Sequence, residues 1–283
     1  GFFRNMLVNA STRGAMKNEP FTDPDGESVI PADVIFEGAN LIVNLTLHNP
    51  SDSETVVLPL GIFVVDEQPR KLSTITIKAL DRMMRFDVAH DGAVGSSLLV
   101  VVQHCCDLAG VTLSPSANAF LNSFVWVDEN SVETTYTLPE TIADKEDLTC
   151  RQILMWVGEM TASCAYVDEN GYLAFKQYPQ SALNALTITE ADRYSSDLQE
   201  TDITITGITV TPTYSESEAV TIGEQGYEWN IEGNQLLVKP EEIASAPLGY
   251  SENNKFFKYR PFTASTKAFP HLWPLDVINF SKN

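Results

Sequence analysis

Hydrophobic positions along this chain follow two periods, and the change between them divides it. From Leu41 the period is two. Leu41-Ile-Val-Asn-Leu-Thr-Leu47 predicts a strand, and His48-Asn-Pro-Ser-Asp52 a turn. Val56-Val-Leu-Pro-Leu60 and Gly61-Ile-Phe-Val-Val-Asp66 predict two more strands. Ser73 to Ala79 alternates strictly, with Ile75 and Ile77 on one face. Short strands separated by polar turns are the pattern of a small sandwich or barrel. Upstream, residues 1–36 lack a clear period, and Asn18 to Gly26 carries the turn signals Pro20, Pro24 and Asp25-Gly26.

The period then changes to that of a helix. Leu98, Val101, Val102, Cys105, Leu108 and Ala109 recur at helical spacing within Ser96–Ala109, with Gly110 as the terminating residue. A second helix is predicted from Thr149, where Thr149-Cys-Arg-Gln152 has capping-box spacing and Ile153, Leu154, Val157 and Met160 form the apolar stripe. It runs into a hairpin, Ser163–Val167 and Tyr172–Gln177, whose Asn170-Gly171 turn supplies positive φ. Between the helices, Asn122 to Tyr136 reads as strand or loop, and Pro139 to Asp147 as an acidic loop. Past Pro179 the period of two returns in Leu186–Thr189, Asp202–Val210 (with Gly207 as a bulge), Ala219–Ile222 and Gln235–Val238. Pro240-Glu-Glu-Ile243 reads as a helix start, and Lys255–Phe262 and Leu275–Phe280 as further strands. The order β, helical, β predicts an α+β, β-rich chain. Two barrel-like β domains (1–88 and 181–283, the second incomplete at its C-terminus) flank an α/β portion (89–180) with two helices and a hairpin.

Charge narrows the function. The 283 residues carry 18 basic and 38 acidic side chains, a net charge of −20. That excludes tight, unaided nucleic-acid binding and attraction to an anionic membrane, since both require Lys and Arg. It suits solubility, a cationic partner, or a surface that must not retain DNA. Tyr178 to Tyr250 holds twelve acids against Arg193 and Lys239, so half the excess lies in this stretch. No apolar run reaches the ~18 residues of a membrane span. No basic region followed by an apolar stretch opens the chain, so no intact signal peptide is expected.

Candidate chemistry is sparse. Cys105, Cys106, Cys150 and Cys164 form no CxxC pair and read as reduced thiols, mostly buried. His104-Cys105-Cys106 is the densest cluster of reactive types, but helical neighbours point ~100° apart and do not converge on one atom. His90, His104 and His271 are isolated in sequence. GxSxG, HExxH, GxGxxG and the phosphate-binding loop are absent, and Asp23-Pro-Asp-Gly26 lacks the later ligands of a calcium loop. The carboxylate pairs Asp66-Glu67 and Glu241-Glu242 are explained by a strand end and a helix start. Trp126, Trp156, Trp229 and Trp273 are scattered, with Trp156 beside a helix stripe. No catalytic, cofactor-binding or metal-ligating residue is nominated, and no cofactor is expected.

Three segments in order resemble one family. They are Pro59–Glu67 followed by Ile75–Asp87 (Ile-Thr-Ile-Lys-Ala-Leu-Asp-Arg-Met-Met-Arg-Phe-Asp), then Thr149–Met160 running on to Asp168–Phe175, and Tyr259-Arg-Pro-Phe-Thr-Ala264. Together they are similar to tail-hub proteins of bacteriophages and prophages of Gram-positive hosts, the N-terminal hub region of tail-associated lysins, which is baseplate-hub-like. Residues 1–36 do not match the pattern, and family members continue beyond the strand at 275–280. The resemblance implies two barrel-like β domains with an α/β portion between. It implies a homotrimeric ring joining tail tube to tip, with the distal tail or tail-tube protein and the tape-measure protein as partners. It places the protein in the bacterial cytoplasm during assembly and then in the virion tail. The expected function is structural, without catalysis. The alternatives are a bacterial surface protein that binds carbohydrate, which predicts an exposed aromatic platform, and a hydrolase, which predicts converging titratable groups.

Overall fold

The computed structural model describes residues 6–8, 21–22, 28–29, 38–48, 55–67, 70–71, 74–75, 77–127, 133–134, 138–143, 145–178, 186–198, 201–211, 219–223, 226–237, 258–267, 269 and 272–280. Strands dominate over helices, in keeping with an α+β chain. The chain divides into two units. One comprises 2–85 together with 167–172, the other 86–166 and 173–283.

The first unit is built on a four-stranded antiparallel sheet. Its strands are β1 (Met6–Val8), β4 (Asn40–His48), β5 (Thr55–Glu67) and β8 (Ile77–Asp81), in the order β1-β8-β5-β4. Two short pairs accompany it, β2 (Phe21–Thr22) with β3 (Ser28–Val29) and β6 (Arg70–Lys71) with β7 (Thr74–Ile75). In β4 the alternation holds: Leu41, Val43 and Leu45 are half-buried, and Asn40, Asn44 and Thr46 are exposed. The two strands expected at Val56–Leu60 and Gly61–Asp66 are one. A bulge opposite Val43 and Asn44 absorbs the irregular step, and Gly61 (φ 140°) sits there against the Phe63 ring. The strand expected over Ser73–Ala79 is instead divided, because Thr74 and Ile75 turn back onto Arg70 and Lys71 and β8 begins at Ile77. Phe63, Val64, Val65 and Ala79 are buried.

Only the Phe63–Glu67 end of β5 pairs with β8. From Thr55 to Ile62 it pairs, among the described residues, with β4 alone, so Asn44–His48 and Thr55–Pro59 extend as a two-stranded arm. Cross-strand partners Leu45 with Leu58 and Leu47 with Val56 share one face of the arm. Asn44 with Pro59, Thr46 with Val57 and His48 with Thr55 share the other.

A 3-10 helix, Arg82–Asp87, follows β8 and begins where the Asp81 carboxylate accepts from the Met83 N–H at 3.0 Å. The remainder of the first unit is the tip of the expected hairpin. There Asp168 Oδ1 accepts from the Asn170 and Tyr172 N–H groups at 2.9 Å each, and Arg82 Nη1 donates to the Gly171 carbonyl at 3.2 Å. Gly171 has φ +76°, and a Cβ there would meet Arg82 and Ile62.

The second unit carries the helices. α1 (Leu98–Ala109) is capped by Ser97, whose Oγ accepts from the Val100 N–H, and ends at Gly110 with φ 61°. α2 (Pro115–Ser123) is an unforeseen helix. Its signal was nonetheless present in the sequence, since Ser114 is an N-cap accepting from Ala117 N and Pro115 is the first helical residue. β9 (Trp126–Val127) and β10 (Glu133–Thr134) form a short pair. α3 (Cys150–Thr161) starts as expected, with Thr149 Oγ1 accepting from Gln152 N at 3.2 Å, and buries Ile153, Leu154, Trp156, Val157 and Met160. α1 packs against both α3 and α2. A single left-handed residue, Ala162 (φ 48°), joins α3 to β11 (Ser163–Val167), which pairs with β12 (Leu173–Gln177).

The second β region is assembled from distant pieces. β13 (Leu186–Ile188), β14 (Arg193–Leu198), β15 (Ile203–Thr204), β16 (Gly207–Thr211), β17 (Val220–Gly223) and β18 (Glu228–Glu232) precede β19 (Lys258–Tyr259), β20 (Phe262–Thr266) and β21 (Ile278–Phe280). β13 pairs parallel to β21, β14 and β15 pair antiparallel to β20 and β19, and β16 lies between antiparallel β17 and parallel β18. Gly207 is not a bulge but pairs in register with Gly223 and Glu228. Gln235–Val238 was expected as a strand, yet residues 235–237 form a turn with Leu236 and Leu237 buried. The Asn234 side chain captures the Leu236 N–H at 3.1 Å and bends the chain. The expected helix start at Pro240 lies outside the described residues. Among the described residues no sheet closes into a barrel, and no helix is long and apolar enough to cross a membrane.

Candidate functional site

Among the described residues, one group of titratable side chains converges at the entry to α1. Residues 88–90 run antiparallel to 148–150: Ala89 bridges Thr149, His90 N donates to Leu148 O at 2.9 Å and Cys150 N donates to Val88 O at 3.0 Å. This pairing holds His90 and Asp91 beside His104 of α1. The two imidazoles meet edge to face with centroids 5.1 Å apart, so the histidines that looked isolated in sequence are neighbours.

His90 is buried, and its Nδ1 accepts from the Gly92 N–H at 3.0 Å. A neutral imidazole has one lone pair, so this bond assigns the proton to Nε2, which is buried with no hydrogen-bond partner. His104 Nε2 donates to Asp91 Oδ1 at 3.0 Å. Burial, then the facing His104, lowers the His90 pKa; Asp91 opposes the shift and Lys145 adds to it. Asp91 is held below the usual carboxylate range by the Ala93 N–H first and His104 second.

One ligand atom from each of His90, Asp91 and His104 lies within 4.8 Å of the others. Two imidazoles and a carboxylate suit a borderline divalent cation such as zinc. The fit fails at His90. A metal at Nδ1 would displace the Gly92 N–H, a metal at Nε2 would strip the proton that the same bond requires, and Lys145 adds positive charge. The three groups form a hydrogen-bonded support for the loop leading into α1.

Three of the cysteines are buried and Cys164 is half-buried. All four are free thiols. Cys105 shares a hydrogen bond with Cys150, 45 positions away in sequence; that bond together with burial pushes the Cys105 thiol far up, and the same bond draws the buried Cys150 thiol below its ordinary value. Burial raises Cys106 to about 12 and also raises Cys164. Trp156 is only 3% exposed, a core residue, while Trp229 and Trp273 are half-buried. Asp66 pairs with Lys78 at 3.2 Å, and His271, Glu241 and Glu242 lie outside the described residues.

A second polar cluster ties the β region to the helices within the second unit. Asn234, 2% exposed, donates through Nδ2 to the Trp156 carbonyl at 3.1 Å and to Glu159 Oε2 at 2.8 Å. Burial raises the Glu159 pKa, and the Asn234 bond partly offsets it. Arg151 grips Asp87 through two bonds of 2.5 and 2.7 Å, Arg260 pairs with Asp202 at 2.5 Å, and Lys176 pairs with Asp276. No single sequence motif announced these pairs, which join residues up to 100 positions apart.

No family model matches the chain, and no curated protein matches it. Among solved structures it is similar to the 43 kDa tail protein of prophage MuSo2 from Shewanella oneidensis, at 10% identity over 86% of this chain and 80% of that one, with a TM-score of 0.43. It is also similar to the prophage tail protein gp18 from Listeria monocytogenes EGD-e, at 14% identity over 72% of this chain, with a TM-score of 0.36. The chain spans 64% of the length of the Listeria protein. Both of these are prophage tail proteins.

Proposed function

We propose that the chain is a structural protein of a phage-like tail, a hub or tip subunit that forms a homotrimeric ring between tail tube and tip. It works by assembly geometry, without catalysis and without a cofactor. The observation that carries the reading is the ordered set of three segments in the sequence. The first contributes β5 and β8 with the 3-10 helix, the second α3 and its hairpin, and the third β19 and β20. The resemblance thus falls on framework elements of both units, where a shared architecture leaves its trace. The distal tail or tube protein and the tape-measure protein are the partners, met in the bacterial cytoplasm and retained in the virion tail.

The charge of −20 fits a ring whose lumen passes DNA, since like charge keeps the polymer from sticking. It also sets the conditions of assembly, because copies repel until salt screens them over a Debye length of ~8–10 Å. Light scattering over a concentration series at low and moderate salt, with negative-stain images of the product, tests the reading. A trimer, or a monomer that moves towards trimer with salt, supports it. A strict monomer at high concentration in both salts refutes the ring.

A further inference from the structure

The geometry points to the arm of β4 and β5 as the surface through which one copy of this chain binds a second copy. This names the contact by which the proposed ring would close, and it rests on that reading.

One face of the arm is aliphatic throughout, with Leu45 and Leu58 half-buried at its base and Leu47 and Val56 beyond them at 49% and 52% exposure. The opposite face mixes Asn44, Thr46, His48 and Thr55 with Val57 and Pro59. A two-stranded ribbon is marginal alone in water, so an arm with one wholly apolar face is best satisfied when that face is covered. Exposed aliphatic pairs at the end of a ribbon are costly to leave wet, at ~25 cal/mol per Å² of apolar surface.

Charge identifies the occupant. Neither Asn40–His48 nor Thr55–Val65 contains an Asp, Glu, Lys or Arg, in a chain with a net charge of −20. Two copies of so acidic a protein repel wherever their carboxylates face each other. Self-contact is therefore cheapest on a surface without charge. A cationic partner would instead be drawn to the acidic stretches. In a threefold ring the contact is heterologous, so the arm's apolar face lies on a different, uncharged surface of the next copy, and the acids of the chain restrain contact elsewhere.

The test compares the wild type with Leu47→Asp/Val56→Asp and with Val57→Asp, using sedimentation velocity across protein concentration and salt. Val57 sits on the same arm, next to Val56 and 55% exposed, but faces the other way. It therefore controls for placing an acid on the arm away from the aliphatic face, and unfolding midpoints of all three proteins verify that the arm substitutions leave the fold intact. The expected result is a wild type that associates, a Val57→Asp protein that matches it, and a Leu47→Asp/Val56→Asp protein whose association is weakened by at least about tenfold. Association unchanged in the double variant, or lost equally in Val57→Asp, overturns the assignment while leaving the ring reading standing. A wild type that never associates overturns both.

Discussion

Replacing Asn234 with Ala removes three hydrogen bonds at once. Its amide donates to the Trp156 carbonyl and to Glu159, and its carbonyl accepts from Leu236 N, all from a side chain that is 2% exposed. The two neutral bonds are worth ~1 kcal/mol each and the bond to a carboxylate ~1.5–3 kcal/mol. Water entering the vacated space recovers part, leaving an expected loss of about 3 kcal/mol. For a protein of this size that lowers the unfolding midpoint by roughly 6–12 °C. Asn234→Asp isolates the donor. The carboxylate still accepts from Leu236 N, but once ionised it cannot donate, and it faces Glu159. Its cost should be smaller in acid, where a protonated Asp restores one of the two bonds that the amide donates, and should grow as pH rises and both groups ionise. Urea unfolding from pH 4 to pH 8, followed by tryptophan fluorescence, measures both. A loss under about 1 kcal/mol for Asn234→Ala, or a pH-independent cost for Asn234→Asp, would refute the idea that this residue tethers the turn at 234–237 to α3.

Three further outcomes are expected. Glu159 has a folded pKa raised by burial, so its stabilising contribution is fully present below its unfolded pKa and is lost as pH rises through the folded one; Glu159→Gln should match the wild type in acid and be more stable at neutral pH, and denaturant midpoints at both pH values check this. Gly158→Ala should destabilise by about 1–3 kcal/mol, because a Cβ there would lie 2.7 Å from the Ser163 carbonyl; helix propensity alone predicts a gain of ~1 kcal/mol, so the sign of the thermal shift decides. A thiol-specific disulfide reagent at pH 8 should label half-buried Cys164 first and leave Cys105, Cys106 and Cys150 untouched until denaturant exposes them; rapid native labelling of any of those three would contradict their burial.

What the sequence revealed was local. α1, α3 and the hairpin after it were legible because caps, turn and stripe lie within a few residues of one another. β4 was legible from its alternation. α2 was signalled by Ser114-Pro115, but its short span and weak stripe hid it. The apolar run Gln235-Leu-Leu-Val238 reads equally as a strand or as a buried turn, and only the Asn234 side chain decided between them. The parallel pairing of β16 with β18, the joining of β13 to β21, and the meeting of His90 with His104 depend on pairings across long separations, which no local period encodes. The arm's aliphatic face was present in the alternation, but its exposure depends on where β8 stops pairing.

The discontinuity of the first unit has a consequence for biosynthesis. Residues 2–85 leave the ribosome well before the hairpin tip at 167–172 that belongs with them. At ~5–20 residues per second, the intervening stretch of about ninety residues imposes a wait of roughly 5–20 s. During that interval Arg82 lacks the Gly171 carbonyl, and Ile62 lacks the neighbour packed against it. Completion of the N-terminal unit is therefore timed by translation of the helical segment, and a nascent chain halted before residue 172 presents that unit's complete sheet without the hairpin tip that belongs with it.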